Sequence, residues 1–334
     1  MEPMYQSFGT VGQVGPGPRV VALGGGHGLY ATLSALRHLT AKLTAVVTVA
    51  DDGGSSGRLR EELGILPPGD LRMALSALCA DSQWGHLWRD VLQYRFQSTG
   101  ELDGHSVGNL LITALWDILA DPVAGLDRVG ALLGAQGRVL PMANEPLTIS
   151  AEVEFEDGLQ TVTGQVSVAK TKGRVRTVSV SPNNASVPQE TLKAVHDAEY
   201  LVMGPGSWFS SLIPHLVVPE LRTEICQTRA KKILVLNLEQ QGDHDGGETT
   251  GMNQVDHLNA LIHHAPELRF DAVLASAKLN EDYGALGRAV RDLGGKLFIR
   301  DIALRGQPGV HDPIRLAAAF TDIFDRFKAE NHNS

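Results

Sequence analysis

Cysteine is nearly missing from this chain, as are long apolar runs and clusters of positive charge. The two cysteines, Cys79 and Cys226, lie far apart, which excludes both a disulfide framework and a zinc motif. Each sits among apolar neighbours and reads as a small buried hydrophobe. No stretch approaches the roughly 20 consecutive apolar residues that a membrane span needs. The first residues have neither the basic nor the apolar part of a secretory leader, so the expected compartment is the cytoplasm. Basic residues come in ones and twos. The densest group, Lys170–Arg176, holds four charges and no aromatic ring. With a net charge of −9, that argues against a nucleic-acid footprint.

The chain does have ample apolar content, 43% of 334 residues, enough for one large or two ordinary domains. It is also rich in glycine at the ends of apolar runs. The densest such place is Thr48–Arg60, where a buried-type strand runs into Asp51 and Asp52. Gly53, Gly54, Ser55, Ser56, Gly57, Arg58 and Arg60 follow. An acidic, glycine-rich turn at the carboxyl end of a strand is where open α/β sheets hold their ligands. The plainer reading is a surface turn, since Asp-Gly and Gly-Ser are ordinary turn pairs.

In chain order, residues 1–18 are rich in Gly and Pro without periodicity and are expected to form a mobile tail. Arg19–Leu23 reads as a buried parallel strand leading into GGGHGL (Gly24–Leu29) and a helix over Tyr30–Leu39. Leu43–Ala50 is a second strand, giving β-loop-α-β, the opening of a doubly wound sheet. PPGDLRMAL (Pro67–Leu75) reads as a turn with Asp70 as helix cap. Trp84–Tyr94 is helical, and GHSVGNLL (Gly104–Leu111) opens another helix. Residues 138–180 alternate with a turn at Glu156–Gly158, the pattern of a small antiparallel insert. The α/β rhythm then resumes with strands at Tyr200–Met203, Lys232–Asn237, Phe270–Ser276 and Lys296–Arg300, closing on a helix over Asp312–Lys328. The expected fold is Rossmann-like α/β, doubly wound and mostly parallel, with the β insert inside a single domain over 19–330. A division near residue 180 is the alternative.

Three strand-end loops carry the functional expectation. Gly26-x-Gly28-x-x-Ala31 is a relaxed dinucleotide fingerprint, with Asp51 near the position of a ribose-binding acid, although a second acid there is atypical for a dehydrogenase. Asp51 and Asp52 could hold Mg²⁺, or accept from sugar hydroxyls while capping the turn. Ser55, Ser56 and Arg58 suit phosphate or carboxylate, unless the arginine is simply paired with Glu61 and Glu62. His105, Ser106 and Asn109 surround a helix start, and Gly204-Pro205-Gly206-Ser207 directly follows a buried strand. In a parallel sheet these ends face one side and can converge on one nucleotide-like anion. Gly242–Thr250 reads as a solvated loop before a metal site, and Tyr283 as packing or as a base-stacking ring.

In this order and spacing GGGHGL, VADDGGSSGRLR, PPGDLRMAL, GHSVGNLL and GPGSWFSSLIPHL resemble the YvcK/GlmR group of gluconeogenesis factors over about residues 19–325. That group is related to the CofD enzyme, 2-phospho-L-lactate transferase. The resemblance implies a cytoplasmic bacterial protein that binds UDP-N-acetylglucosamine and links gluconeogenic carbon metabolism to envelope precursors and cell shape. It implies regulation before catalysis, with a partner enzyme of amino-sugar synthesis and pairing into a homodimer. The transferase branch implies instead a Mg²⁺-dependent transfer from a nucleotide diphosphate carrier, and the dinucleotide fingerprint keeps an NAD-binding oxidoreductase open. Carried over by position, Gly24, Gly25, Gly26, His27, Gly28, Asp51–Ser56, Arg58, His105, Asn109 and Gly204–Ser207 form the ligand pocket. The resemblance also implies an aromatic contact to uridine at about Tyr283. The sequence departs from the family pattern at His27, where Thr is usual, at the longer loop Glu239–Thr249, and at Val310, where Arg is common. Arg300 or Arg305 would have to replace that arginine.

Overall fold

The computed structural model describes residues 17–238, 247–249, 251–277, 283–307 and 309–332. Its frame is a parallel sheet of seven strands in the order β10-β9-β8-β7-β1-β2-β3. β1 (Val20–Gly24) pairs on one side with β2 (Leu43–Val47), which pairs with β3 (Arg138–Pro141). On its other side β1 pairs with β7 (Tyr200–Met203), followed outward by β8 (Lys231–Val235), β9 (Ala272–Ser276) and β10 (Lys296–Arg300). Strands buried on both faces read as unbroken apolar runs, which is why β1, β7 and β9 are legible as VVALG, YLVM and AVLAS.

Between β2 and β3 the chain forms α2 (Gly54–Leu63), α3 (Pro68–Ala77), α4 (Gln83–Gln93), α5 (Val107–Leu119) and α6 (Pro122–Leu133), after α1 (Gly26–Leu36) has joined β1 to β2. α3 begins at Pro68 with Pro67 as cap, so Asp70 is not the cap expected from the sequence but a residue of the first turn. The antiparallel insert holds β4 (Thr148–Phe155), β5 (Gly158–Thr163) and β6 (Arg174–Ser181) in the order β5-β4-β6, with α7 (Gln165–Ala169) between its last two strands. The expected insert began ten residues early. Its first run, Arg138–Pro141, extends the main sheet as an edge strand in parallel with β2, because Val139–Pro141 are buried without alternation.

α8 (Gln189–His196) precedes β7, and a π-helical turn at Trp208–Leu212 follows it. α9 (Pro214–Val217), α10 (Pro219–Gln227), α11 (Gln254–His264), α12 (Gly284–Asp292) and α13 (Pro313–His332) complete the layers. Strands from both sides of the insert share one sheet. Of the expected tail only Gly17 and Pro18 are described, and Thr40 pins Pro18 by donating to its carbonyl at 2.6 Å. Among the described residues no helix is long and apolar enough to cross a membrane.

α13 returns across the sheet to pack on α1, and its Phe324 ring stacks on Tyr200 at 4.0 Å between centroids. Truncating a buried Phe costs about 3–5 kcal/mol. Phe324→Ala should lose about that much in urea unfolding, and a loss below ~1 kcal/mol would show that this helix is not part of the cooperative core.

Candidate functional site

Successive connections run one way from β1 through β2 to β3 and the other way from β7 to β10. The reversal falls between β1 and β7, and a crevice outside the carboxyl ends of such strands is the general ligand position in this architecture. A cleft of about 420 Å³ lies there, lined by Gly25–Gly28, Pro205–Ser207, Asp70, Asn237, Gln165 and His311 among others. A smaller cavity of about 180 Å³ between α3, α6 and β3 is lined by none of these loops.

The two glycine loops are interlocked. A Cβ on Gly28 would lie 2.2 Å from the Pro205 carbonyl oxygen, and the Thr32 hydroxyl donates to the Gly204 carbonyl at 2.8 Å. Gly26 has φ +56°, in the left-handed region, which lets the chain turn from β1 directly into α1. Gly25 brings no capping side chain to α1; Asp70 takes the Gly26 amide, and the rest of that amino end opens on the cleft with its partial positive charge. In the 204–207 loop the Gly204 amide donates to the Leu23 carbonyl at 3.3 Å. Asn237 accepts from the Gly206 amide and donates to the Gly206 carbonyl, both at 2.9 Å. Glu248 Oε1 accepts from the Phe209 amide at 2.9 Å. Both loops line the cleft, the second through Pro205, Gly206 and Ser207.

The acid loop divides its labour. Both carboxylate oxygens of Asp52 accept from the insert, from Gln165 N at 2.8 Å and Val166 N at 3.0 Å. Asp52 therefore caps α7 and ties the insert to the loop. Asp51 accepts from Gly53 N at 2.9 Å and faces Asp70. Burial first, and then the charge of Asp51, push Asp70 up to about 7; its bond from the Gly26 amide works in the opposite direction. Asp51 is raised as well, mainly by burial. Gly25 and Gly69 allow this crowding, since a Cβ on either would lie 2.4 Å and 2.9 Å from the oxygens of Asp70 and Asp51 respectively.

Ser55, Ser56, His105 and Asn109 are brought together, but behind the acid loop. The Asn109 amide donates to Ser55 Oγ at 3.0 Å, and Ser55 meets His105 Nδ1 at 3.0 Å. Burial holds the His105 imidazole below its ordinary range. Arg72, 3% exposed, donates to Asn109 Oδ1 at 2.9 Å and to Gln93. Desolvation lowers Arg72 to about 10, so it stays charged at neutral pH. This network sets the start of α5 against the start of α2.

The arginines expected to meet an anion do not line the cleft. Exposed Arg58 donates to the carbonyls of Asp103, at 2.6 Å, and Glu101, and Arg60 donates to Leu147 O at 2.8 Å. Arg300 is engaged by Asp322 and Arg305 is exposed. His27 stands exposed at the cleft rim. The Tyr283 hydroxyl donates to Ser276 O at the end of β9, two strands from β7. Of Gly242–Thr250, all but 247–249 lie outside the described residues, and Glu248 within it is 6% exposed.

Sequence reasoning missed four residues. Asp70 was read as a helix cap, while Asn237 and Glu248 each lie in a loop with no local periodicity. His311 is 8% exposed and lines the cleft; its Nε2 has no hydrogen-bond partner among the described residues, and desolvation lowers the ring to about 4. A neutral ring bonded to the Leu236 backbone through its other nitrogen leaves Nε2 as an acceptor. The one signal was the His-Asp pair just before α13.

The family model described as "2-phospho-L-lactate transferase CofD" matches residues 20–290. A Mycobacterium leprae protein named "Putative gluconeogenesis factor" is 46% identical over 319 residues, covering 93% of this chain and 88% of that one. The "Gluconeogenesis factor" of Bacillus subtilis is 37% identical over 265 residues, 79% of this chain and 80% of its own. Among solved structures, a UPF0052-family protein of Bacillus halodurans superposes with a TM-score of 0.81 at 33% identity, covering 91% of this chain and 99% of that one.

Glu248 yields a pH prediction. Burial raises it from 4.5 to about 7 when folded, so between those values the native state binds a proton that the unfolded chain does not. The stability this gives is full at low pH and is lost as pH rises toward 7. Glu248→Gln keeps an oxygen acceptor for Phe209 without titrating. Its stability relative to the parent should rise by about 1.4 kcal/mol per pH unit between these pKa values, measured by urea unfolding across the range. A difference that does not change with pH would show that Glu248 does not titrate there.

Proposed function

The chain belongs to the CofD family, and on that footing we propose that it is a UDP-N-acetylglucosamine-binding regulator of gluconeogenic growth, acting on envelope precursor supply and cell shape through a partner enzyme of amino-sugar synthesis. The observation that carries the reading is the chemistry of the cleft at the β1/β7 reversal. At the amino end of α1 Asp70 takes the Gly26 amide, and the amides that follow are suited to a diphosphate. The Asp70 carboxyl beside them and His311 Nε2 are acceptors suited to sugar hydroxyls and an amide N–H. A nucleotide sugar has both kinds of group on one molecule. The names of the relatives support the metabolic setting.

A second reading, a Mg²⁺-dependent nucleotide-diphosphate transferase, is favoured by the Asp51–Asp70 pair. Burial raises both carboxyls and the charge of Asp51 raises Asp70 further; a divalent cation would relieve that repulsion. Among the described residues no cluster of three or more metal-type side chains occurs, and Mg²⁺ needs only one or two carboxylates when ligand phosphates supply the rest. Asp51 and Asp70 would hold the ion, which would supply charge neutralisation at the phosphates. Asp52 is engaged elsewhere.

Calorimetric titration with UDP-N-acetylglucosamine, GDP and NAD, each with and without Mg²⁺, separates the readings. The regulator binds UDP-N-acetylglucosamine without the ion. His311→Leu should weaken that binding about tenfold, the worth of one hydrogen bond to a buried acceptor, with an unchanged melting curve. Binding of NAD alone, or of UDP-N-acetylglucosamine with equal affinity in the variant, would overturn the assignment. If binding requires Mg²⁺ and is lost in Asp51→Asn, the transferase reading replaces it.

A further inference from the structure

A lysine near the start of a strand covered on both faces is drawn toward the interior. β8, KKILV, opens with two, and successive side chains of a strand point to opposite faces. Lys231 Nζ reaches Asp271 Oδ1 at 2.8 Å and lies 5.6 Å from the centre of the Phe327 ring. Lys232 is 8% exposed, and among the described residues its Nζ donates to a single acceptor, the Thr228 carbonyl at 2.9 Å. An ammonium carries three donors, and a buried charge is costly unless it is paired. Asp271 does not pair it: its oxygens take Lys231 Nζ and, at 2.9 Å, the Lys232 amide. Burial accordingly pulls Lys232 below its ordinary value, and the charge of Asp271 opposes this without a contact.

Lys232 lines a pocket of about 350 Å³ at the amino ends of β8 and β9, the end of the sheet opposite the cleft. That volume falls within the range of small-molecule sites. Arg269 and Arg291 line it too, with Phe270 and Leu293 as apolar walls. Arg269 spends only Nη1 on the turn before β9, donating to the Pro266 and Leu268 carbonyls. Arg291 ends α12, where the amides of Leu293, Gly294 and Gly295 take the last helical carbonyls. Its own side chain has no hydrogen bond or ion pair among the described residues. Three cations therefore face one uncommitted carboxylate, that of exposed Asp292. We propose that this pocket is a site for a small phosphate-bearing anion, held by Lys232, Arg269 and Arg291. Two guanidinium groups and an ammonium match the several oxygens of a phosphate, where a carboxylate offers fewer. In a chain of net charge −9 the long-range field repels anions, so such a site has to be built from local charge. The cleft is lined by other residues, and the inference stands whatever ligand the cleft takes.

Calorimetric titration of the full chain with inorganic phosphate at constant ionic strength tests the site, with acetate titrated in parallel. Phosphate should bind, and acetate at least about tenfold more weakly. Arg291→Gln should weaken phosphate binding at least about tenfold, as expected for a lost charge-assisted hydrogen bond, and so should Lys232→Met. Because Arg291 is exposed, its variant reads the site without disturbing the interior, and its melting curve should match the parent's. Arg174→Gln removes the same charge from the exposed start of β6 and should leave phosphate binding intact. A parent that does not bind phosphate overturns the proposal. So does binding that survives Arg291→Gln, which would place the anion elsewhere, or binding weakened equally by Arg174→Gln. Equal affinity for acetate overturns the assignment to phosphate.

Discussion

The contact of Gly28 with Pro205 governs the ligand-side end of this molecule. With a Cβ 2.2 Å from a carbonyl oxygen, no residue larger than glycine fits there without moving backbone. That fit holds the amino end of α1 against the loop after β7 and brings together the two halves of the sheet where its winding reverses. The Thr32 hydrogen bond to Gly204 reinforces it one turn along α1. Everything placed around the cleft takes its position from this join: Asp70 under Gly25, Asn237 clasping Gly206, His311 closing from the C-terminal side.

Behind it lies a second layer made of buried polar groups. Arg72, Asn109, Ser55 and His105 line no part of the cleft but connect α3, which carries Asp70, to α2, which follows the Asp51 loop. Such a network is costly when incomplete and rigid when satisfied. The placement of α5 is a by-product, since its first residues belong to this network while its far side faces outward.

Much of the fold was legible because a parallel sheet buried on both faces writes itself as apolar runs. β7 and β10 fall on the residues that the sequence marks, and five motifs foretell a Rossmann-like protein of the family the comparisons then supply. What stayed hidden is partnership. Two aspartates side by side look alike in sequence, yet Asp51 faces Asp70 while Asp52 is spent on the amides of an insert more than a hundred residues away. Arginines beside a glycine loop suggest phosphate, yet Arg58 and Arg60 serve backbone carbonyls of neighbouring loops. Residue type gives the available chemistry, and only long-range packing says which neighbour uses it.

Glu248 and Asp70 furnish two helical starts with the same kind of occupant. Glu248 takes the amide of Phe209 and Asp70 that of Gly26, and burial raises both carboxyls to about 7. Near neutrality each stands between its charged and its neutral form, so the chain's own acids offset the partial positive charge of these two starts only in part.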